Sequence, residues 1–127
     1  MITKPIPYGR QHITDEDIQC VIDALKSDYL TQGPKIKEFE EAFASYVGCK
    51  YAIAVNNATA GLHLAATALD VNLGDKVIVT PLTFAASANC IRFRGGEVVF
   101  CDVEEDTYLM DIKKLSRLLS QSPKGTL

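Results

Sequence analysis

The chain has 127 residues, 47% of them apolar and 23% charged, the composition of ordinary globular material with enough chain for one core of moderate size. A formal net charge of −3 leaves no basic footprint for nucleic acid, and no apolar run reaches the roughly 18 residues that a membrane span needs. Neither nucleic acid nor membrane is therefore expected as a partner. Polar residues soon follow Met1, where a secretory leader would carry an apolar stretch. The four cysteines, Cys20, Cys49, Cys90 and Cys101, lie far apart with no C-x-x-C pair, and they read as reduced core residues rather than metal ligands or disulfides. A cytoplasmic protein without a metal site is the expectation.

In chain order, Thr14 and Asp17 have capping-box spacing, and Ile18, Val21, Ile22 and Leu25 recur at helical period, which predicts an amphipathic helix over 15–27. A loop, Ser27 to Gly33, ends at Pro34, a favoured first helical residue. Ile36, Phe39, Phe43 and Val47 mark the stripe expected to be buried in a second helix, which Gly48 stops. Residues 50–55 form a short continuous apolar run, as in a buried strand. A helix over about 58–69 follows, then a Gly74-Asp75 turn and a strand from Lys76 to Thr80 closed by Pro81. Residues 85–93 read as a helix, Gly95-Gly96 as a turn and Val98 to Cys101 as a third strand. Asp111 caps a last helix that carries Ile112, Leu115, Leu118 and Leu119. Strands alternating with helices imply crossover connections and a mainly parallel sheet, an α/β architecture. The final residues, Ser120 to Leu127, read as a loop about to enter another element, so the sequence is expected to be a piece of a larger one.

Two junctions between strand and helix could carry chemistry. In parallel α/β sheets, ligands gather at the carboxyl ends of the strands, where the next helix presents free N–H groups and the positive end of its dipole. Asn57-Ala58-Thr59 occupies the first junction: small side chains leave the backbone open to an anion, and Thr59 adds a hydroxyl. Plain helix capping explains an Asn at position 57 equally well, and both readings stand. Neither G-x-x-x-x-G-K nor G-x-G-x-x-G is present. The second junction, Thr80 to Asn89, puts Phe84 at the same edge of the sheet, where its ring could stack on a flat heteroaromatic group or simply pack.

Together the stretches "LTQGPKIKEFEEAFASYVGCKYAIAVNNATAGLHLA" and "VIVTPLTFAASANCIRFRGGEVVFCDVEEDTY" resemble the DegT/DnrJ/EryC1/StrS family of sugar-nucleotide aminotransferases. The T-Q-G-P loop, the N-A-T turn and P-x-T-F are the most specific parts, and the likeness runs from about Pro5 to the last residue. The resemblance implies the amino-terminal part of a fold-type I transferase that uses pyridoxal 5′-phosphate (PLP). Residues 1–48 would be a helical segment with a substrate loop, and 49–127 a partial large PLP-binding α/β domain. Asn57, Ala58 and Thr59 would hold the cofactor phosphate, although many relatives have Ser-Gly-Thr there; Phe84 would stack on the pyridine ring. "PYGRQHITDEDIQCVIDALKSDYLTQG" is most like the branch of the family in pseudaminic acid biosynthesis, which implies that Tyr8, Asp28, Tyr29, Leu30 and Thr31 line a sugar-nucleotide site. An amino acid donor, usually glutamate, and a homodimer of the intact enzyme are further implications.

Such an enzyme needs a lysine to hold the cofactor covalently and a carboxylate against the pyridinium nitrogen. The family carries both downstream of P-x-T-F, so no catalytic residue is assigned within this chain, and the stretch alone is expected to be inactive. Its lysines read as solvated charges, as do Asp102, Glu104, Glu105 and Asp106, though Asp102 at a strand end also invites the pyridinium role. His12 and His63 stand near helix starts without a required function. Two alternatives remain open: a PLP-dependent sugar dehydratase of the same family, and a non-catalytic interaction fragment of marginal stability.

Overall fold

A computed structural model describes residues 7–122, which divide into two compact units, one up to Ala54 and one from Val55 onward.

The first unit contains two helices, α1 (Asp15–Lys26) and α2 (Pro34–Val47). The capping box at the start of α1 forms as expected: Thr14 Oγ1 accepts from the Asp17 N–H at 3.3 Å, and an Asp17 carboxylate oxygen accepts from the Thr14 N–H at 2.8 Å. Gly48 ends α2 in the left-handed region, φ 71°, where a side chain would be strained. The helices form where the periodicity put them, but their apolar stripes are not covered. Ile18, Val21 and Leu25 are exposed, and so are Ile36, Phe39, Phe43 and Val47, which corrects the buried stripe expected for α2. Phe39 and Phe43 instead stack on one another along the helix, with ring centroids 5.9 Å apart.

The apolar run before the second unit differs too. Residues 51–55 pair with no strand among the described residues, and Tyr51, Ile53 and Val55 are exposed. The Ala54 N–H donates to the Glu40 carboxylate at 2.8 Å, a side-chain partner taking the place of a ladder.

The second unit is built on α3 (Ala58–Ala68), β1 (Lys76–Val79), α4 (Ala86–Phe93), β2 (Glu97–Phe100) and α5 (Ile112–Gln121). β1 and β2 are parallel, with Lys76 opposite Glu97 and Val79 opposite Phe100, and α4 makes the crossover between them. The third expected strand thus begins one residue earlier than its apolar run, because Glu97 is drawn into the ladder: its N–H donates to the Asp75 carbonyl at 2.8 Å. Ala66, Val71, Cys90 and Ile91 form the core, with Val77 and Val98 of the sheet packed against it. Gly96 makes that packing possible, since a Cβ there would lie 2.8 Å from Ile91 Cγ2 and 3.0 Å from Val71 Cγ1. At the same end, Arg94 reaches back, its Nε donating to the Val71 carbonyl at 3.1 Å and its guanidinium to Asn72 Oδ1 at 3.3 Å. The arginine ties the carboxyl end of α4 to the segment that leaves α3.

Of the four cysteines, only Cys90 and Cys101 are buried; Cys20 and Cys49 are exposed, a correction to their expected place in a core. All four are free thiols. No helix of the described residues is long and apolar enough to cross a membrane, and no group of three or more candidate metal-ligating side chains occurs among them.

Candidate functional site

The first turn of α3 is set by Asn57, which is extended (φ −166°, ψ 165°) and accepts from the Ala60 N–H through Oδ1 at 2.9 Å. The Asn57 carbonyl accepts from the Gly61 N–H at 3.2 Å, the first bond of the helix proper. With Ala60 and Gly61 served, the N–H groups of Ala58 and Thr59 and the Thr59 hydroxyl have no hydrogen-bond partner among the described residues. Capping and an open donor set therefore coexist here, because the cap uses only one of the free donors of the turn. Three donors remain, at a helix end that carries roughly half a positive charge. Thr59 is half-buried and Ala58 exposed, so the turn is reachable from solvent.

Phe84 lies two residues ahead of α4 and is 78% exposed, so it does not serve the core. Its carbonyl accepts from the Ser87 N–H at 3.0 Å, and the hydroxyls of Thr83 and Ser87 lie 2.9 Å apart, closing the turn that carries the ring. The helices α3 and α4 pack against one another, and Arg94 pins them at their carboxyl ends. Their amino-terminal turns thus lie at the other ends, about 12 to 16 Å along the helix axes at 1.5 Å per residue. No hydrogen bond or ring contact joins Phe84 to the Asn57–Thr59 turn among the described residues.

Tyr8, Asp28, Tyr29, Leu30 and Thr31 belong to the first unit and are all exposed. In the loop after α1, the Ser27 hydroxyl lies 2.7 Å from the Ala24 carbonyl and 3.1 Å from that of Tyr29, so the loop folds back toward the helix. The sequence places Ser27 and Gly33 at the two ends of this loop without giving either a role. A small residue without a capping side chain directly before Pro34 was the available signal.

The other ionisable candidates have ordinary structural work. Lys114 Nζ donates to Asp102 Oδ2 at 2.9 Å, and the Val103 N–H donates to Oδ1 of the same carboxylate at 2.9 Å. The Lys114 hydrogen bond, with that backbone donor and the lysine charge, holds the Asp102 carboxyl below the usual range, and the same pairing raises Lys114. Asp102 is therefore an exposed member of an ion pair rather than a lone solvated charge, and Lys114 is its partner. His63 packs edge-on against Phe93 at 5.5 Å. An open cavity of about 330 Å³ lies between the end of β2 and α5, lined by Phe100, Asp102, Lys114 and Arg117 among others; neither Thr59 nor Phe84 borders it.

The profile of the DegT/DnrJ/EryC1/StrS aminotransferase family matches residues 11–127. The chain is 42% identical over 122 residues to the spore coat polysaccharide biosynthesis protein SpsC of Bacillus subtilis, covering 96% of this chain and 31% of that protein. It is 44% identical over 118 residues to the UDP-4-amino-4,6-dideoxy-N-acetyl-beta-L-altrosamine transaminase of Campylobacter jejuni, covering 92% of this chain and 31% of that enzyme. Among solved structures, Spr1654 of Streptococcus pneumoniae, determined in PLP, PMP and apo forms, superposes with a TM-score of 0.82 at 38% identity over 88% of this chain. Spr1654 is itself covered to 29% in its PLP form. The chain thus spans about a third of the length of the curated relatives it matches.

Proposed function

This chain belongs to the DegT/DnrJ/EryC1/StrS aminotransferase family and has the α/β architecture of a fold-type I transferase, and on that premise we propose that it contributes the phosphate cradle and ring platform of a PLP-dependent aminotransferase acting on sugar nucleotides. The observation that carries the reading is the first turn of α3, where the N–H groups of Ala58 and Thr59 and the Thr59 hydroxyl are left over after Asn57 has capped the helix. Three donors at a helix amino terminus suit the phosphate of PLP, and the exposed ring of Phe84 suits its pyridine face. Bound there, the cofactor supplies the electron sink through which an amino group passes from an amino acid, with glutamate the favoured donor, to a keto sugar nucleotide.

What this chain's own residues do is bind and orient. Ala58 and Thr59 neutralise the phosphate through backbone dipoles, and Asn57 keeps those dipoles aligned. Phe84 limits the tilt of the ring. Tyr8 and the loop Asp28, Tyr29, Leu30 and Thr31 line the sugar-nucleotide side, within a segment 1–48 that serves the substrate while 49–127 serves the cofactor. No residue here is assigned to covalent attachment. The likeness to the Campylobacter transaminase supports a substrate of the pseudaminic acid route, and the intact enzyme is proposed as a homodimer in the cytoplasm.

Titration with pyridoxamine 5′-phosphate, followed by its fluorescence, tests the reading. The amine form is chosen because it makes no Schiff base with the chain's lysines. Saturable binding that inorganic phosphate competes away is expected. Thr59→Val should weaken it about 10- to 100-fold, the worth of one hydroxyl donor to a charged acceptor, and Phe84→Ala about fivefold through lost stacking. Binding that is absent, or untouched by both substitutions, refutes the cradle.

A further inference from the structure

Gly33 sits where the loop after α1 meets α2, and its backbone gives no reason for a glycine. At φ −78° and ψ 177° it occupies a conformation open to any residue. Capping gives no reason either: Gly33 is the N-cap of α2 and makes no side-chain hydrogen bond, where Ser, Asp or Asn would satisfy one of the free N–H groups. The reason is space. A Cβ at Gly33 would lie 2.8 Å from Tyr29 Cβ, 3.0 Å from the Tyr29 carbonyl oxygen and 3.5 Å from its carbon. These are main-chain and first side-chain atoms, not the end of a flexible chain, so relief requires the loop itself to move. The Ser27 hydroxyl also lies 3.1 Å from the Tyr29 carbonyl oxygen. Between these two contacts Gln32 adopts φ 53°, an uncommon region for a residue with a side chain, so the tight reversal carries a backbone cost that its closure must offset.

We propose that Gly33 is a positioning residue for the sugar-nucleotide loop: by lacking a Cβ it admits the Tyr29 backbone against α2 and so fixes the outward presentation of Tyr29, Leu30 and Thr31. The inference rests on the reading that this loop lines the sugar-nucleotide site. Tyr29 and Leu30 are 65% and 68% exposed, so the closed loop turns its larger side chains to solvent, where a ligand can meet them. Gly33 touches no ligand in this account and acts only through the loop.

Gly33→Ser separates space from capping, because serine supplies the missing cap oxygen while adding the obstructive Cβ. Gly33→Ala adds the Cβ alone. Binding of UDP-N-acetylglucosamine, measured by calorimetry, is the functional readout; hydrogen exchange of the amides of residues 28–32 is the structural one. Both variants should bind the sugar nucleotide about tenfold more weakly than the parent chain, the loss expected of an overpacked contact. Both should also exchange faster in the loop, with pyridoxamine 5′-phosphate binding unchanged, and Gly33→Ser should keep the helical circular dichroism of the parent. If the parent binds the sugar nucleotide and Gly33→Ser binds it equally well with unaltered exchange, the positioning role is overturned while the substrate reading survives. If the parent itself does not bind the sugar nucleotide, the substrate reading falls, and this inference with it.

Discussion

Asn57→Ala separates the two roles that meet in the first turn of α3. The wild-type amide oxygen accepts from the Ala60 N–H at 2.9 Å, a well-formed cap on an 11-residue helix. Removing it returns one donor to solvent and loosens the turn, a cost of about 1 kcal/mol within a usual range of roughly 0.5 to 2 kcal/mol. The phosphate donors are different atoms, the N–H groups of Ala58 and Thr59 and the Thr59 hydroxyl, and the substitution leaves all of them in place. Their loss is confined to alignment, so binding of pyridoxamine 5′-phosphate should weaken by no more than the cap is worth, about fivefold for 1 kcal/mol. Asn57→Ser should retain both stability and binding, since a serine oxygen caps the same turn. Urea denaturation followed by circular dichroism reads the first quantity, and the fluorescence titration reads the second. The reasoning fails if Asn57→Ala abolishes binding while the helix remains folded, because Asn57 would then be a direct ligand. It fails equally if stability does not change, because the hydrogen bond would then contribute nothing.

The Asp102–Lys114 pair gives a pH dependence with a definite sign. The folded-state pKa of Asp102 is depressed, so its stabilising contribution is present above the unfolded value of about 3.9 and is lost as pH falls through the folded one. Lys114 is raised, so its contribution is present below the unfolded value of about 10.4 and is lost as pH rises through its folded value. The difference in Tm between the parent and Asp102→Asn should therefore be constant around neutrality, shrink under acid and alkaline conditions, and diminish in high salt, because both side chains are about half exposed or more. A difference that grows under acid conditions contradicts the pairing. Alkylation of the native chain should modify Cys20 and Cys49 quickly, and Cys90 and Cys101 only at the rate of unfolding, as resolved by peptide mass spectrometry; rapid labelling of Cys90, which is 5% exposed, refutes the core described for the second unit.

Local signals in the sequence were sufficient wherever the physics is local. Thr14 with Asp17, Pro34, Gly48, Asn57 and Asp111 all set helix ends where their chemistry predicts, because a cap is decided by a few neighbouring atoms. Burial and strand pairing are not decided locally. The run Tyr51 to Val55 has the composition of a buried strand, but a strand exists only against a partner, and among the described residues it has none. The stripes of α1 and α2 carry correct periodicity and remain exposed for the same reason: a pattern names the face to be covered, not what covers it. The Asp102–Lys114 pair was likewise illegible, since it joins residues 12 apart through the geometry of β2 and α5. Phe84 marks the intermediate case. Its position before α4 follows from the turn that precedes the helix, but its availability as a platform is a matter of exposure, which depends on how α4 meets the rest of the unit. Gly33 lies further still from sequence logic, because its backbone angles are ordinary and its N-cap position would favour a different residue. Only the approach of Tyr29 to within 2.8 Å of an absent Cβ gives the glycine a reason. In this chain the residues that end helices could be named in advance, while those that leave room for something else became legible only once the space around them was known.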